Sequence, residues 1–550
     1  MSVCFFRVRR NLAHAVVGLA ALMASASLSL ADITIKAEPA EGEKVADIAK
    51  IAAKIESTDS IDKVEFRVDD ELRLTDTSTP YAYDWDTIAD KEGKHTVTIT
   101  AFDSNGSTKR FTLNLEVDNE LSLGAEVLAA KAKEALGEKK YDAAILYGRR
   151  ALKAEPGNIL GSRAIAGVYG TRRDWGKAIA TLDKAMGLDT SATALSELAS
   201  YRVQRALEPE NAAGFFAELS AANELRHKAA DLAVQETKKT SSGNSEAIGD
   251  ALVTAGRIRE AITEYGKVAL KTDAPTSAIN RLALAYNLAD QPQDALGPLR
   301  LLQRLKKDDA ASRAIIGLSY LRLMQFADAK QAVQADLADQ KPASLIVAAF
   351  ADNALGKGKE AAVLAKDAVA LAPGAAEAYY ALALSTPDLK DQERAINRTI
   401  GYNSFQSGPY LDYAARLTLS KRTNRYEQVL DLTDLVLKNE PDNLNAKLMQ
   451  AQLYLFLKRI PDAESVLAQI GRMRGATANP DVQLTYASYW DIKGNGSQVN
   501  TALAEARKLD AVRFDQRGTT PPLQLLLRLN RKMFYRSGYF LMPSTLFPQG

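Results

Sequence analysis

A spacing of thirty-four residues constrains this chain more than any other feature. Ala144, Ala178, Ala261, Ala295, Ala329, Ala361, Ala395, Val429, Ala463 and Val499 follow one another at intervals of 34, 83, 34, 34, 32, 34, 34, 34 and 36. Twelve residues before each of them stand Ala132, Ala166, Gly249, Ala283, Gly317, Ala349, Ala383, Leu417, Ala451 and Ala487, nine of which are small. Large residues recur in phase with both columns. Tyr169, Tyr286, Tyr320, Tyr454 and Trp490 lie nine positions before the anchor, and Tyr141, Trp175, Ile258, Phe326, Tyr426 and Ile460 lie three before it. Two small columns let paired helices approach closely, and the large residues fill the seam to the next pair. Pro156, Pro373 and Pro441 end hairpins, because proline cannot continue a helix. A length of 550 residues is too great for one core, and repetition accounts for it: each hairpin buries its apolar face on its neighbours.

The 83-residue interval exceeds two repeats by about fifteen residues. Its middle, Ala192–Gln235, keeps a helical pattern with Phe215, Phe216, Leu219 and Leu225 on one face, and Lys238–Asn244 reads as a loop. We expect two irregular hairpins or long helices there.

This period and its columns resemble the tetratricopeptide repeat, in about ten copies over residues 119–511 with an irregular stretch at 191–248. The resemblance implies binding of proteins or extended peptides on the face lined by each first helix. Residues carried onto that face are Asn280, Asn287, Arg322, Asn353, Tyr380, Lys421, Arg422 and Gln452, a mixture of amides, cations and an aromatic suited to an extended backbone. The Lys/Asn pairing on successive helices that some relatives use to clamp a terminal carboxylate is not visible.

The ends of the chain read differently. Arg7, Arg9 and Arg10 precede an apolar stretch, Leu12–Leu22, and the small-residue motif Ser29-Leu30-Ala31. This is the layout of a secretory signal peptide, residues 1–31, with cleavage after Ala31. Its apolar run is too short, and too broken by serines, for a spanning helix. A periplasmic or secreted protein is expected. The single cysteine, Cys4, falls in the leader, and beyond it only His95 and His227 remain of the three histidines. Thiol chemistry and Cys/His zinc sites therefore have no material, and stability must come from packing.

Residues 32–118 carry a net charge of −9, residues 119–550 a net of +8. Alternating runs such as Lys63–Val68, His95–Phe102 and Arg110–Val117 argue a small antiparallel sandwich, with Asp103-Ser104-Asn105-Gly106 as a hairpin turn in which Asn-Gly supplies positive φ angles. The order of these runs, with Pro80–Thr87 and Gly93–Val97 between, resembles bacterial Ig-like domains. That resemblance implies a spacer, adhesive or carbohydrate-related module. His95 and Trp85 are expected in its core. Asp69, Asp70, Asp84 and Asp86 are expected on a solvated face and in turns, since no calcium-loop spacing joins them.

Residues 512–550 hold six basic side chains against Asp515, and Pro521-Pro522 opens an apolar run, Leu523–Leu529. A capping helix with a basic, aromatic tail is expected; peripheral contact with anionic lipid is a second reading. The fold class is thus a multidomain chain, an all-β Ig-like sandwich followed by an all-α helical-hairpin solenoid. The expected function is that of a non-enzymatic exported scaffold or adaptor that binds proteins or peptides on the solenoid, with the Ig-like domain as spacer or attachment module. The alternative is a glycan-binding accessory protein in envelope polysaccharide or peptidoglycan assembly. No Gly-rich phosphate loop, Gly-x-Ser-x-Gly elbow or metal-ligand spacing occurs, so no cofactor or metal is expected. Nucleic acid is an unsuitable partner for an exported chain whose charge after loss of the leader is near zero.

Overall fold

The computed structural model describes residues 33–511, apart from 187–190, 290, 404–406 and 420–424. The leader and the tail from 512 onward, with the expectations placed on them, lie outside the described residues. The chain divides into two compact units, Met1–Leu128 with Arg149–Pro156, and Ala129–Gly148 with Gly157–Gly550.

The first unit is a sandwich of β1 (Thr34–Glu38), β2 (Lys44–Val45), β3 (Ile48–Glu56), β4 (Ile61–Val68), β5 (Glu71–Asp76), β6 (Ala82–Asp86), β7 (Gly93–Asp103) and β8 (Thr108–Val117). One sheet has the order β1-β3-β6, the other β2-β8-β7-β4-β5. Alternation sends Val64, Phe66 and Val68 of β4 inward, opposite Ala101, Ile99 and Val97 of β7, and all six are fully buried. Trp85 and Ile51 meet them from the smaller sheet. In the hairpin turn only Gly106 has a positive φ, 83°. The reason is Asp103, whose carboxylate accepts the amides of Asn105 and Ser107 at 3.0 and 2.7 Å and so builds the turn with a single left-handed residue.

The described helices pair into hairpins. They are α1 (Ala125–Gly137), α2 (Tyr141–Ala154), α3 (Ile159–Thr171), α4 (Trp175–Ala185), α5 (Ala192–Ala206), α6 (Phe215–Thr240), α7 (Ser245–Thr254), α8 (Ile258–Ala269), α9 (Thr276–Leu288), α10 (Pro292–Arg304) and α11 (Ala310–Arg322). There follow α12 (Phe326–Val333), α13 (Pro342–Ala354), α14 (Gly358–Leu371), α15 (Ala376–Ser385), α16 (Leu389–Tyr402), α17 (Gly408–Leu419), α18 (Tyr426–Asn439), α19 (Leu444–Phe456), α20 (Ile460–Arg472), α21 (Pro480–Ile492) and α22 (Gly496–Leu509). Asn158, Asp174, Asn443 and Asn495 cap helix starts by accepting backbone amides that lack intrahelical partners.

Both small columns lie where the two helices of a hairpin touch. Ala178, Ala261, Ala295, Ala329 and Ala361 are fully buried on second helices, facing Ala166, Gly249, Ala283, Gly317 and Ala349 on first helices. At Gly317 an added Cβ would stand 2.6 Å from Val347 Cγ1 and 3.1 Å from the Ala329 carbonyl oxygen, so backbone approaches backbone there. Of the two expectations for the irregular stretch the structure has the long helix: it is one hairpin rather than two, and its second helix is extended. α5 and α6 are joined by a 3-10 turn, Pro209–Gly214, and the extra length sits in the 26 residues of α6. Lys238 and Lys239 belong to the last turn of α6, where cations suit the helix dipole, and only Ser241–Asn244 forms the turn that follows.

Candidate interaction surface

The polar residues of the first helices are rungs between successive hairpins. Asn280 of α9 donates its amide to Asp309 Oδ1 (2.9 Å) and accepts from Ser312 Oγ (2.8 Å) at the start of α11. Asn287 donates to Ser319 Oγ (2.9 Å), Asn353 to the Ala381 carbonyl (3.2 Å), and Gln452 to Thr485 Oγ1 (3.3 Å). Each bond spans from one first helix to the next and fixes their spacing; a neutral bond of this kind contributes about 1 kcal/mol net. Tyr380 packs against Phe350 with ring centroids 5.8 Å apart.

The eight residues carried onto the binding face are therefore not a row of open side chains. Asn280, Asn287, Arg322, Tyr380 and Gln452 are buried, Asn353 is half-buried, and Lys421 and Arg422 lie outside the described residues. Successive first helices lie close enough that amides expected to pair with a ligand's backbone reach their neighbours instead.

A second arrangement brings together helices far apart in sequence. Gln204 of α5 donates to the Tyr402 hydroxyl of α16 (3.3 Å), and Lys438 of α18 donates to Ser220 Oγ (2.6 Å) and pairs with Glu224 (3.2 Å) on α6. His227 Nε2 lies 2.9 Å from Asn439 Oδ1. Gly401 of α16 lies so close to α5 that a Cβ there would stand 3.3 Å from Val203 Cγ1. Phe215, Leu219 and Ala222 share one buried cluster with Tyr410, Leu411 and Val429. The irregular hairpin thus braces itself against α16, α17 and α18.

Several buried groups have shifted protonation. Burial pushes Glu377 up to about 8, opposed by a hydrogen bond from its own backbone amide. Burial also raises the Tyr410 phenol, which donates within reach of the Ile400 (2.9 Å) and Asn403 (2.7 Å) carbonyls. Arg313 is pushed up by its hydrogen bonds to Asp336, against the opposing effect of desolvation. In the sandwich, His95 is buried with Nδ1 at 2.6 Å from Asp69 Oδ2 and Nε2 at 2.8 Å from the Lys91 carbonyl. Trp85 meets the His95 ring edge-on and donates to Asp90 Oδ2 (2.7 Å). Asp86 pairs with Arg149, which belongs to the same unit. Among the described residues no three His, Cys, Asp or Glu side chains gather as a metal-ligand group, and no helix is long and apolar enough to cross a membrane.

The fold and these rungs define an architecture: a β-sandwich followed in the chain by an array of stacked helical hairpins. The family model described as a bacterial Ig domain matches residues 32–99. Fibronectin(III)-like modules of Clostridium thermocellum CbhA are 25% identical over 16% of this chain and 47% of theirs, with a TM-score of 0.15. The chain thus spans about half the length of that relative. The APC/C hetero-tetramer Cut9-Hcn1 is 12% identical over 74% of this chain and 96% of that one, with a TM-score of 0.40. A human IFIT1 dimer with PPP-AAAA is 16% identical over 65% and 92%, with a TM-score of 0.32. No curated protein matches the sequence significantly.

Proposed function

We propose that the protein is a non-enzymatic exported scaffold: its helical array holds a protein partner, and its Ig domain serves as spacer or attachment module. The observation that supports this most is the run of stacked hairpins, in which the polar side chains of the repeat columns are spent on inter-hairpin rungs. Such an array offers a long, pre-organised surface, and pre-organisation lowers the entropy cost of holding an extended partner. The leader-like residues 1–31 and the bacterial Ig domain support export to the cell envelope or beyond it. Crosslinking of the tagged full chain in its own envelope fraction tests the reading. A discrete partner at defined stoichiometry is expected; abundant bulk proteins alone would sink it. Sequencing of the mature N-terminus should begin at Asp32.

A further inference from the structure

Helix α6 carries the one irregularity of the repeat, and its excess length has a definable use. Other second helices of the hairpins run 8 to 14 residues, whereas α6 has 26. Its middle turns face α16, α17 and α18, and there it presents Arg226 and Asn223.

Arg226 is enclosed by protein but keeps part of its surface in contact with solvent. Among the described residues it makes no ion pair and no hydrogen bond, and its Nη1 is both buried and without a partner. The groups that act on it electrostatically are the Tyr410 and Tyr402 phenols, with no carboxylate among them. Four other partly enclosed arginines of the array are matched by carboxylates: Arg313 by Asp336 and Asp308, Arg281 by Asp250, Arg163 by Glu197, Arg202 by Glu218. The surrounding charge does not compensate it either. Glu224 is engaged by Lys438, and Arg398, a further cation, donates to the Tyr402 hydroxyl (3.3 Å). Asn223 is buried beside Tyr410, and its amide hydrogen-bonds toward the Tyr410 hydroxyl. Removing a guanidinium from water without an anion is costly, and accordingly desolvation pushes its pKa below the usual arginine value.

We propose that Arg226 forms a receptor for a carboxylate of an acidic peptide, the guanidinium taking the Asp or Glu side chain of the partner. The inference rests on the scaffold reading and names the chemistry of its partner. A planar fork of N–H donors matches a carboxylate bidentately. Tyr402, tilted against Tyr379 with centroids 5.8 Å apart, supplies an aromatic wall beside it.

The test uses the full chain and fluorescein-labelled hexaglutamate, with hexaglutamine and oligogalacturonate as comparison probes, read by anisotropy at fixed ionic strength. Wild type should bind hexaglutamate and not hexaglutamine. Arg226→Gln should weaken binding about tenfold or more and Arg226→Lys less, while Arg259→Gln on the exposed face of α8 leaves it unchanged. Without peptide, Arg226→Gln should melt higher than wild type, because it removes an uncompensated charge. A lower melting temperature marks a structural role and overturns the proposal. So does equal hexaglutamate binding by wild type and Arg226→Gln, no binding at all, or preference for oligogalacturonate. Partner capture by wild type with no hexaglutamate binding would remove this site and leave the scaffold reading; loss of capture would remove both.

Discussion

The close approach of helices at the small columns can be tested at one atom. In Gly317→Ala the new Cβ would lie 2.6 Å from Val347 Cγ1, 3.2 Å from Val333 Cγ1 and 3.1 Å from the Ala329 carbonyl oxygen. Carbon contacts are most favourable near 3.5–4.0 Å, so about 1 Å of movement is required. Both valines are fully buried and stiff at χ1, and the carbonyl belongs to α12 itself. Overpacking of this kind costs about 1–3 kcal/mol. Gly266→Ala is the matched control: the residue lies inside α8, and its Cβ meets only Leu270 Cδ1, at an ordinary 3.7 Å. Both substitutions gain about 1 kcal/mol of helix propensity, so the difference between them isolates the overpacking term. Repeat arrays need not unfold in two states, which makes local hydrogen exchange the suitable assay. Amides of α11–α13 should lose protection in Gly317→Ala by about 1–3 kcal/mol relative to the change of α7–α9 amides in Gly266→Ala. Equal protection in the two variants would refute the close approach.

Further consequences concern charge, rungs and the sandwich core. Glu377 has a folded-state pKa of about 8, above its ordinary 4.5. The array should be most stable below the lower value and lose stability as pH rises from about 4.5 to 8, by up to ~1.4 kcal/mol per unit; Glu377→Gln should flatten that slope in urea midpoints, and an unchanged slope would contradict burial of the acid. A double-mutant cycle of Asn287→Ala and Ser319→Ala should return a coupling of about 0.5–1.5 kcal/mol for the rung between α9 and α11, whereas strict additivity would show it idle. Trp85→Ala should cost about 3–5 kcal/mol within the sandwich and expose β4 and β7 to exchange, while α7–α22 keep their protection; loss of protection in both would contradict two separate units.

The repeat was legible because helix pairing leaves a regular mark. Small residues at Ala283 and Ala295 or at Ala349 and Ala361 are required wherever two helices touch, and the 34-residue period follows from one hairpin's length. Sandwich strands were legible for a similar reason, since alternation at Val64–Val68 and Val97–Ala101 records which face is buried. The carried-over binding face was read less well. Asn280, Asn287 and Gln452 carry amides suited to a ligand, but one sequence does not reveal that Asp309, Ser319 and Thr485 stand within hydrogen-bonding distance of them. Arg226, Asn223 and Glu377 lie off the repeat columns altogether. The fifteen surplus residues between anchors marked the place, while the reach from α6 to Tyr402 and Tyr410 depends on how six successive hairpins stack, a property held by no local pattern.

The central claim is that the array, rather than the sandwich, holds a protein partner. Photoreactive side chains placed singly at the exposed positions Lys228 on α6, Lys359 on α14 and Lys109 on β8, in the full chain expressed in its own cells, test that claim most directly. One discrete protein adduct from Lys228, absent from Lys109 and lost in Arg226→Gln, is the predicted result. An adduct confined to Lys109, or no defined adduct from any position, would contradict it.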